Sequence, residues 1–297
     1  MYISDFNYYK PSSIQEACRI LSESSDGAPL AGGTDLLVEM KQGLRHHEDI
    51  VSLAAIEGLR FIHHDADSLI IGAGVTHNDV AASPIVMELH PAIAEAAVKI
   101  GTDQIRNTGT IGGNLCTGAS CCDMAPILIA LDATAEIKSS VAARTVSLDE
   151  FFISHKETRI RKGEIMTRII VPRAVDGAVA CFEKFGIREA ASISVASVAA
   201  AIRVSHGFCA GARVVIGAVA PIPKLSTGAN EVLMKKQISE LSENSSTLKQ
   251  ACEAAAADSR PIDDLRGRAE YRRQLIRVLT QRAVVNALAR VGMNKII

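Results

Sequence analysis

QIRNTGTIGGNLCTGASCCDMAP, residues 104–126 of a 297-residue chain, shows neither helical periodicity nor strand alternation. It is small, polar and glycine-rich, yet apolar, helix-like segments flank it. An irregular stretch of about twenty residues inside a compact domain is uncommon unless it is functional or disordered. Disorder does not suit a segment rich in Ile, Leu, Met and Cys and poor in net charge. The stretch therefore reads as a loop whose backbone something approaches closely. Gly109, Gly112 and Gly113 remove side chains, while Thr108, Thr110, Asn114 and Thr117 offer hydroxyl and amide groups. Backbone N–H groups among short polar side chains suit a phosphate or pyrophosphate.

A second loop, LAGGTDL at residues 30–36, lies about eighty residues upstream and leads into a helix-like segment, LLVEMKQG. Two such loops can clasp one extended ligand from opposite sides. Neither carries G-x-G-x-x-G, and no G-x-x-x-x-G-K-[ST] occurs, so the common dinucleotide and P-loop motifs are excluded.

The 32 basic and 33 acidic residues leave no polyelectrolyte pull toward nucleic acid or an anionic membrane. The opening MYISDFNYYKP has neither a basic n-region nor an apolar h-region, so no signal peptide is expected. No apolar run has the length of a membrane span. Seven unevenly placed cysteines argue against a secreted disulfide framework and for a reduced, cytoplasmic protein. Trp is absent, which does not favour base stacking.

The pattern along the chain predicts an α+β protein. Residues 6–10, 29–31 and 50–53 read as strands, with a capping box at Ser13–Glu16 opening a helix on Ile14, Cys18 and Leu21. The first fifty-odd residues thus form a small β-α-β unit. A β-rich stretch follows, FIHHDADSLIIGAGVTHNDV, and then helices opened by Pro84 and Pro91, the second running to Ile100. Residues 126–131 read as a short helix, and 133–139, 143–147 and 165–171 as strands. The composition changes near residues 173–177. Beyond it, 178–187, 195–204 and 211–219 read as one antiparallel sheet, followed by helices over 246–257 and 271–291. The expected domains are residues 1–175, in lobes of about 1–55 and 56–175, and residues 176–297.

AGGTDLLVEMK and QIRNTGTIGGNLC, with RPIDDLRGRAEYRR at residues 260–273, resemble in order and spacing the FAD-binding subunits of the xanthine dehydrogenase family of molybdenum hydroxylases. That family includes the medium chains of carbon monoxide dehydrogenase, and the resemblance spans essentially the whole chain. It implies a two-lobed FAD-binding domain of the vanillyl-alcohol oxidase/PCMH-like type, followed by a C-terminal antiparallel sheet with helices. It also implies FAD as cofactor. Ala31, Gly32, Gly33, Thr34, Asp35, Leu36 and Leu37 would meet the pyrophosphate and ribityl chain, with Thr110, Gly113, Asn114 and Thr117 on the other side. Ile100 and Met166 would lie beside the cofactor.

Four further positions carry alternatives. The resemblance makes Asp123 a contact to polar groups of FAD, although it could equally cap a helix. Lys184 would stabilise charge at the flavin's polar edge, whereas the sequence alone suggests a solvated strand lysine. Ile193, in the segment 188–193, would cover the flavin face and control acceptor access, or else sit in the core. The Arg260–Arg273 run could bind a partner; an intrachain network is preferred for Asp264 and Arg266. Arg268 replaces a serine frequent in relatives.

Cys116, Cys121 and Cys122 begin like the plant-type iron–sulfur spacing but lack its second interval. One family branch, the 4-hydroxybenzoyl-CoA reductases, has a cluster-bearing insertion near this place, which this chain lacks. Small buried thiols are expected here, with no metal. His46, His47, His63 and His64 read as surface residues.

The resemblance implies an electron-transfer subunit without protein catalytic residues. Electrons would come from a molybdopterin-binding large subunit through the 2Fe–2S clusters of a small subunit, and leave through FAD to an acceptor such as NAD. The assembly would be a dimer of heterotrimers. The alternative is a self-contained FAD-dependent oxidoreductase of the vanillyl-alcohol oxidase-like fold, for which no general base is apparent. A scaffold that has lost FAD is a third reading, disfavoured by the intact loops.

Overall fold

The computed structural model describes residues 3–188 and 191–291. β1 (Asn7–Tyr9), α1 (Ile14–Glu23), β2 (Gly27–Leu30), α2 (Leu36–Lys41) and β3 (Asp49–Ser52) form the first lobe. Its sheet has the order β1-β3-β2, with both pairings parallel. Ser13 caps α1 by accepting from Glu16 N at 3.2 Å, and the Glu16 carboxylate accepts from Ser12 N at 3.0 Å. The reciprocal bond thus goes one residue upstream of the cap. Ala17, Cys18 and Leu21 form the buried stripe of α1, as their spacing requires.

The second lobe comprises β4 (Ile62–His64), β5 (Ser68–Gly72), α3 (His77–Ala82), α4 (Pro84–Leu89), α5 (Pro91–Val98), α6 (Asp103–Thr108), α7 (Ile111–Cys116) and α8 (Met124–Ala130). It continues with β6 (Thr134–Lys138), β7 (Ala143–Ser147), α9 (Leu148–Phe151), β8 (Phe152–Ser154), β9 (Glu157–Thr158) and β10 (Ile165–Pro172). Five strands pair antiparallel in the order β4-β5-β10-β6-β7. β8 and β9 form a separate hairpin.

The structure corrects the loop reading of residues 104–126. That stretch is mostly α6, α7 and the start of α8, each too short to show a period. Threonine caps supply the local order: Thr102 accepts from Ile105 N and Thr110 from Gly113 N. Every residue of α8 is buried, so it shows no polar stripe.

Beyond them lie β11 (Ala178–Gly186), β12 (Ser194–Ser205), β13 (Phe208–Gly217), β14 (Lys224–Leu225), α10 (Thr227–Leu233), α11 (Ser246–Asp258) and α12 (Ala269–Ala289). The sheet order is β11-β12-β13-β14, all antiparallel. β12 is buried on both faces. Ala199 joins the core that contains α8, while Val198, Ala200 and Ile202 face the core shared with α11 and α12. The alternation of side chains along one strand thereby links two cores. Leu275, Ile276, Leu279, Ala283 and Val284 give α12 its buried face. Among the described residues no helix is long and apolar enough to cross a membrane.

Candidate functional site

A groove of about 810 Å³ runs between the two lobes, within the range of roughly 300–1,000 Å³ usual for cofactor sites. One wall is the turn from β2 to α2, with Ala31, Gly32, Gly33, Thr34, Asp35 and Leu36; the other includes Thr110, Gly113, Asn114 and Thr117 from α7 and its caps. Ile100 and Met166 add apolar surface. Twelve of the sixteen expected residues therefore share one cavity.

Backbone demands explain the glycines. A Cβ on Gly32 would lie 2.1 Å from the Thr108 carbonyl oxygen and 2.9 Å from Gly109 Cα, so the walls close only without a side chain there. Gly33 has a φ of +70°, in the left-handed region that glycine tolerates best. The N–H groups of Gly32, Gly33, Thr34 and Asp35 donate to no backbone acceptor among the described residues. Four free donors in one tight turn form a cradle for an anion.

The opposite wall is held by backbone pairing. His77 N donates to Gly109 O at 3.0 Å, Ile111 N to Val75 O at 2.9 Å, and Gly112 N to Ala73 O at 2.9 Å. The Thr117 hydroxyl lies 3.1 Å from Asp35 Oδ2 and 2.9 Å from Gly113 O. It can therefore bridge the walls. Asn114 Oδ1 accepts from Met124 N at 3.2 Å and from the Cys122 thiol at 2.9 Å, fixing its amide.

Leu37, Asp123, Lys184 and Ile193 do not line the groove. Leu37 packs with Leu30 and Ile50 in the first lobe. Asp123 is the first-turn boundary of α8, but its carboxylate caps nothing. Instead Oδ2 accepts from Lys184 Nζ at 2.6 Å and Oδ1 accepts from the Ser194 hydroxyl. Lys184 Nζ also donates to Lys99 O at 2.8 Å, and its side chain is 7% exposed. The solvated-lysine reading is thus corrected: the ammonium neutralises a buried carboxylate where α8 meets the C-terminal sheet. Burial raises the Asp123 carboxyl above its ordinary value, opposed chiefly by Lys184. Ile193 is 53% exposed and is no core residue. Glu189 and Ala190, in the segment expected to gate the flavin, lie outside the described residues.

Several lining residues escaped the sequence reading. Arg45, ion-paired to Glu39 at 2.8 Å, and Arg60 also line the groove, and His77 brings a buried imidazole. Their only sequence signal is their place after α2, before β4 and at the start of α3. Cys116 lines the groove, its thiol pushed up to about 12 by burial, while Cys122 is buried against Asn114. Among the described residues no group of three metal-ligating side chains occurs. His63 and His64 are exposed, whereas His47 is half-buried against Asp26 at 2.8 Å. Arg272 is buried, donating to Ala218 O at 3.0 Å and pairing with Asp264 at 2.5 Å, which accounts for Asp264 as an intrachain contact.

Free backbone donors, glycines that admit close approach, two arginines and an apolar flank suit an extended ligand with an anionic centre and an apolar ring, as FAD has.

Known proteins show the same architecture. A family model described as the FAD binding domain in molybdopterin dehydrogenase matches residues 4–174. The CO dehydrogenase flavoprotein C-terminal domain model matches residues 180–287. The carbon monoxide dehydrogenase medium chain of Hydrogenophaga pseudoflava is 32% identical over 96% of this chain and 98% of its own length. The nicotine 6-hydroxylase medium subunit of Paenarthrobacter nicotinovorans is 32% identical over 98% of this chain and all of its own. A solved structure of carbon monoxide dehydrogenase from Hydrogenophaga pseudoflava superposes with a TM-score of 0.93 at 32% identity, covering 98% of this chain and 99% of that one.

Proposed function

This chain belongs to the family of FAD-binding subunits of the molybdopterin dehydrogenases, and from that premise we propose that it carries electrons within a larger complex. It is the FAD-binding component of a xanthine dehydrogenase-family oxidoreductase. The proposed route takes electrons from a molybdopterin-binding large subunit, through the 2Fe–2S clusters of a small subunit, to this chain and on to an acceptor such as NAD. The proposed assembly is a dimer of heterotrimers in the cytoplasm. When bound, FAD supplies a centre that handles both one-electron and hydride chemistry.

The chain's own residues bind and orient. Gly32, Gly33, Thr34 and Asp35 would hold the pyrophosphate of FAD through their N–H groups, flanked by Ala31 and Leu36 and backed by Leu37. Thr110, Gly113, Asn114 and Thr117 close the other side of the groove, and Ile100 and Met166 would exclude water from the flank of a bound ring. Asp123 and Lys184 hold a compensated charge pair where α8 meets the C-terminal sheet, outside the groove, and the exposed Ile193 would control acceptor access to a bound flavin. The proposed division at residues 175/176 separates this cradle from the C-terminal domain of antiparallel sheet and helices. The observation that carries the reading is the set of N–H groups without a backbone acceptor in a groove-lining turn that packs on the opposite wall only because Gly32 has no Cβ.

The test is purification through a tag on this chain from its native host, with flavin, iron and molybdenum measured in the product. Co-purifying iron and molybdenum alongside FAD are expected. FAD without either metal would favour a self-contained flavin oxidoreductase instead.

A further inference from the structure

His77 stands at the first position of α3, 2% exposed, and lines the groove. Its Nδ1 is enclosed without a hydrogen-bond partner. Burial, reinforced by the Arg106 guanidinium, holds the imidazole down to about 4, so the ring is neutral at physiological pH. Arg106 is itself committed to Ile100 O at 2.9 Å, Asn78 Oδ1 at 3.0 Å and Asp103 Oδ1 at 2.9 Å.

A neutral imidazole has one proton to place. On the enclosed Nδ1 it would be a buried N–H with no acceptor, a rarer and costlier arrangement than an unpaired lone pair. The proton therefore belongs on Nε2. The ring edge that includes Cδ2, the carbon bonded to Nε2, faces Gly109: a Cβ there would sit 3.4 Å from His77 Cδ2 and 3.4 Å from Thr34 Oγ1. This edge borders the place where the two glycine loops converge, beside the free N–H groups of residues 32–35. No described side chain accepts from it.

We propose that His77 is a cofactor-binding residue whose Nε2–H donates to a pyrophosphate oxygen of FAD. A neutral donor fits this place because the fold already supplies backbone donors there and Arg106 opposes a second cation nearby. The pyrophosphate is the most anionic part of the ligand and suits a convergence of donors. The inference rests on the FAD reading above.

The experiment titrates the flavin-depleted full chain with FAD, ADP and riboflavin, comparing wild type with His77→Phe and His77→Gln. Phenylalanine keeps the ring's bulk without the donor, whereas glutamine restores an N–H. Loss of a hydrogen bond to a charged acceptor should weaken FAD and ADP binding roughly 10- to 100-fold in His77→Phe, with riboflavin little changed and His77→Gln recovering part of the loss. A structural role alone would weaken all three ligands together. That result, or unchanged FAD binding in His77→Phe, overturns the assignment while leaving the FAD reading standing. A wild-type chain that takes up neither FAD nor ADP overturns both. Should His77→Phe fail to fold, His77→Met, which also lacks a donor, takes its place in the same three-ligand titration, with the same supporting and overturning results.

Discussion

Replacing Gly32 with alanine adds one methyl group at the narrowest point between the two lobes. The new carbon would sit 2.1 Å from the Thr108 carbonyl oxygen, about 1.3 Å inside the 3.4 Å at which ordinary contact begins. The opposing atoms are backbone, anchored by His77 N to Gly109 O and Gly109 N to Ile105 O, and they cannot turn aside. The glycine turn must move instead. Without ligand it can do so into the groove at modest cost, but the closed cradle cannot form without strain. Overpacking of this kind costs about 1–3 kcal/mol. If that falls on the bound state, FAD binding weakens roughly 5- to 150-fold. Gly58→Ala is the control, since its Cβ would meet only Ile14 Cδ1 at 3.9 Å. Fluorescence titration of both flavin-free variants, with thermal unfolding alongside, measures the difference. FAD affinity within twofold of wild type in Gly32→Ala would refute the cradle.

Other consequences are equally concrete. Lys184→Met leaves the Asp123 carboxylate buried without its cation and should destabilise the chain by about 3–5 kcal/mol in urea unfolding at neutral pH. Because burial raises this carboxyl, the deficit should shrink as pH falls through its raised value and it becomes neutral; a pH-independent deficit counts against the pair. His77 and His90 are both held near 4 by burial, against an ordinary 6.5. Unfolding frees them to take up protons, so stability of the flavin-free chain is full above pH 6.5 and falls toward pH 4, by at most about 3 kcal/mol per histidine. Denaturant midpoints that stay flat over that window contradict it. Enlarging the exposed Ile193 to Trp should slow flavin oxidation by external acceptors more than electron arrival from the iron–sulfur subunit, as stopped-flow measurement of the two half-reactions can show; equal slowing of both counts against a gate.

The strands were legible where side chains alternate or run apolar, as in β10 and β12, and so were the helices opened by Pro84 and Pro91. Helices α6 and α7 were not, because six residues give too few turns for a period and their order comes from threonine caps. The glycine loops announced the groove through composition, and the resemblance named its ligand. Lys184 was misjudged as solvated because its partner Asp123 is sixty-one residues away and only folding brings them together. His77 has no sequence signal beyond its place at the start of α3. Its significance lies in burial without a hydrogen-bond partner, a three-dimensional property.

The most direct test of the central claim is the identity and amount of flavin released from the purified full chain by denaturation. A cradle built for a pyrophosphate predicts FAD near one per chain, reduced sharply in Gly32→Ala and retained in Gly58→Ala. FMN in place of FAD, or a wild-type chain that neither retains nor rebinds flavin, would contradict it.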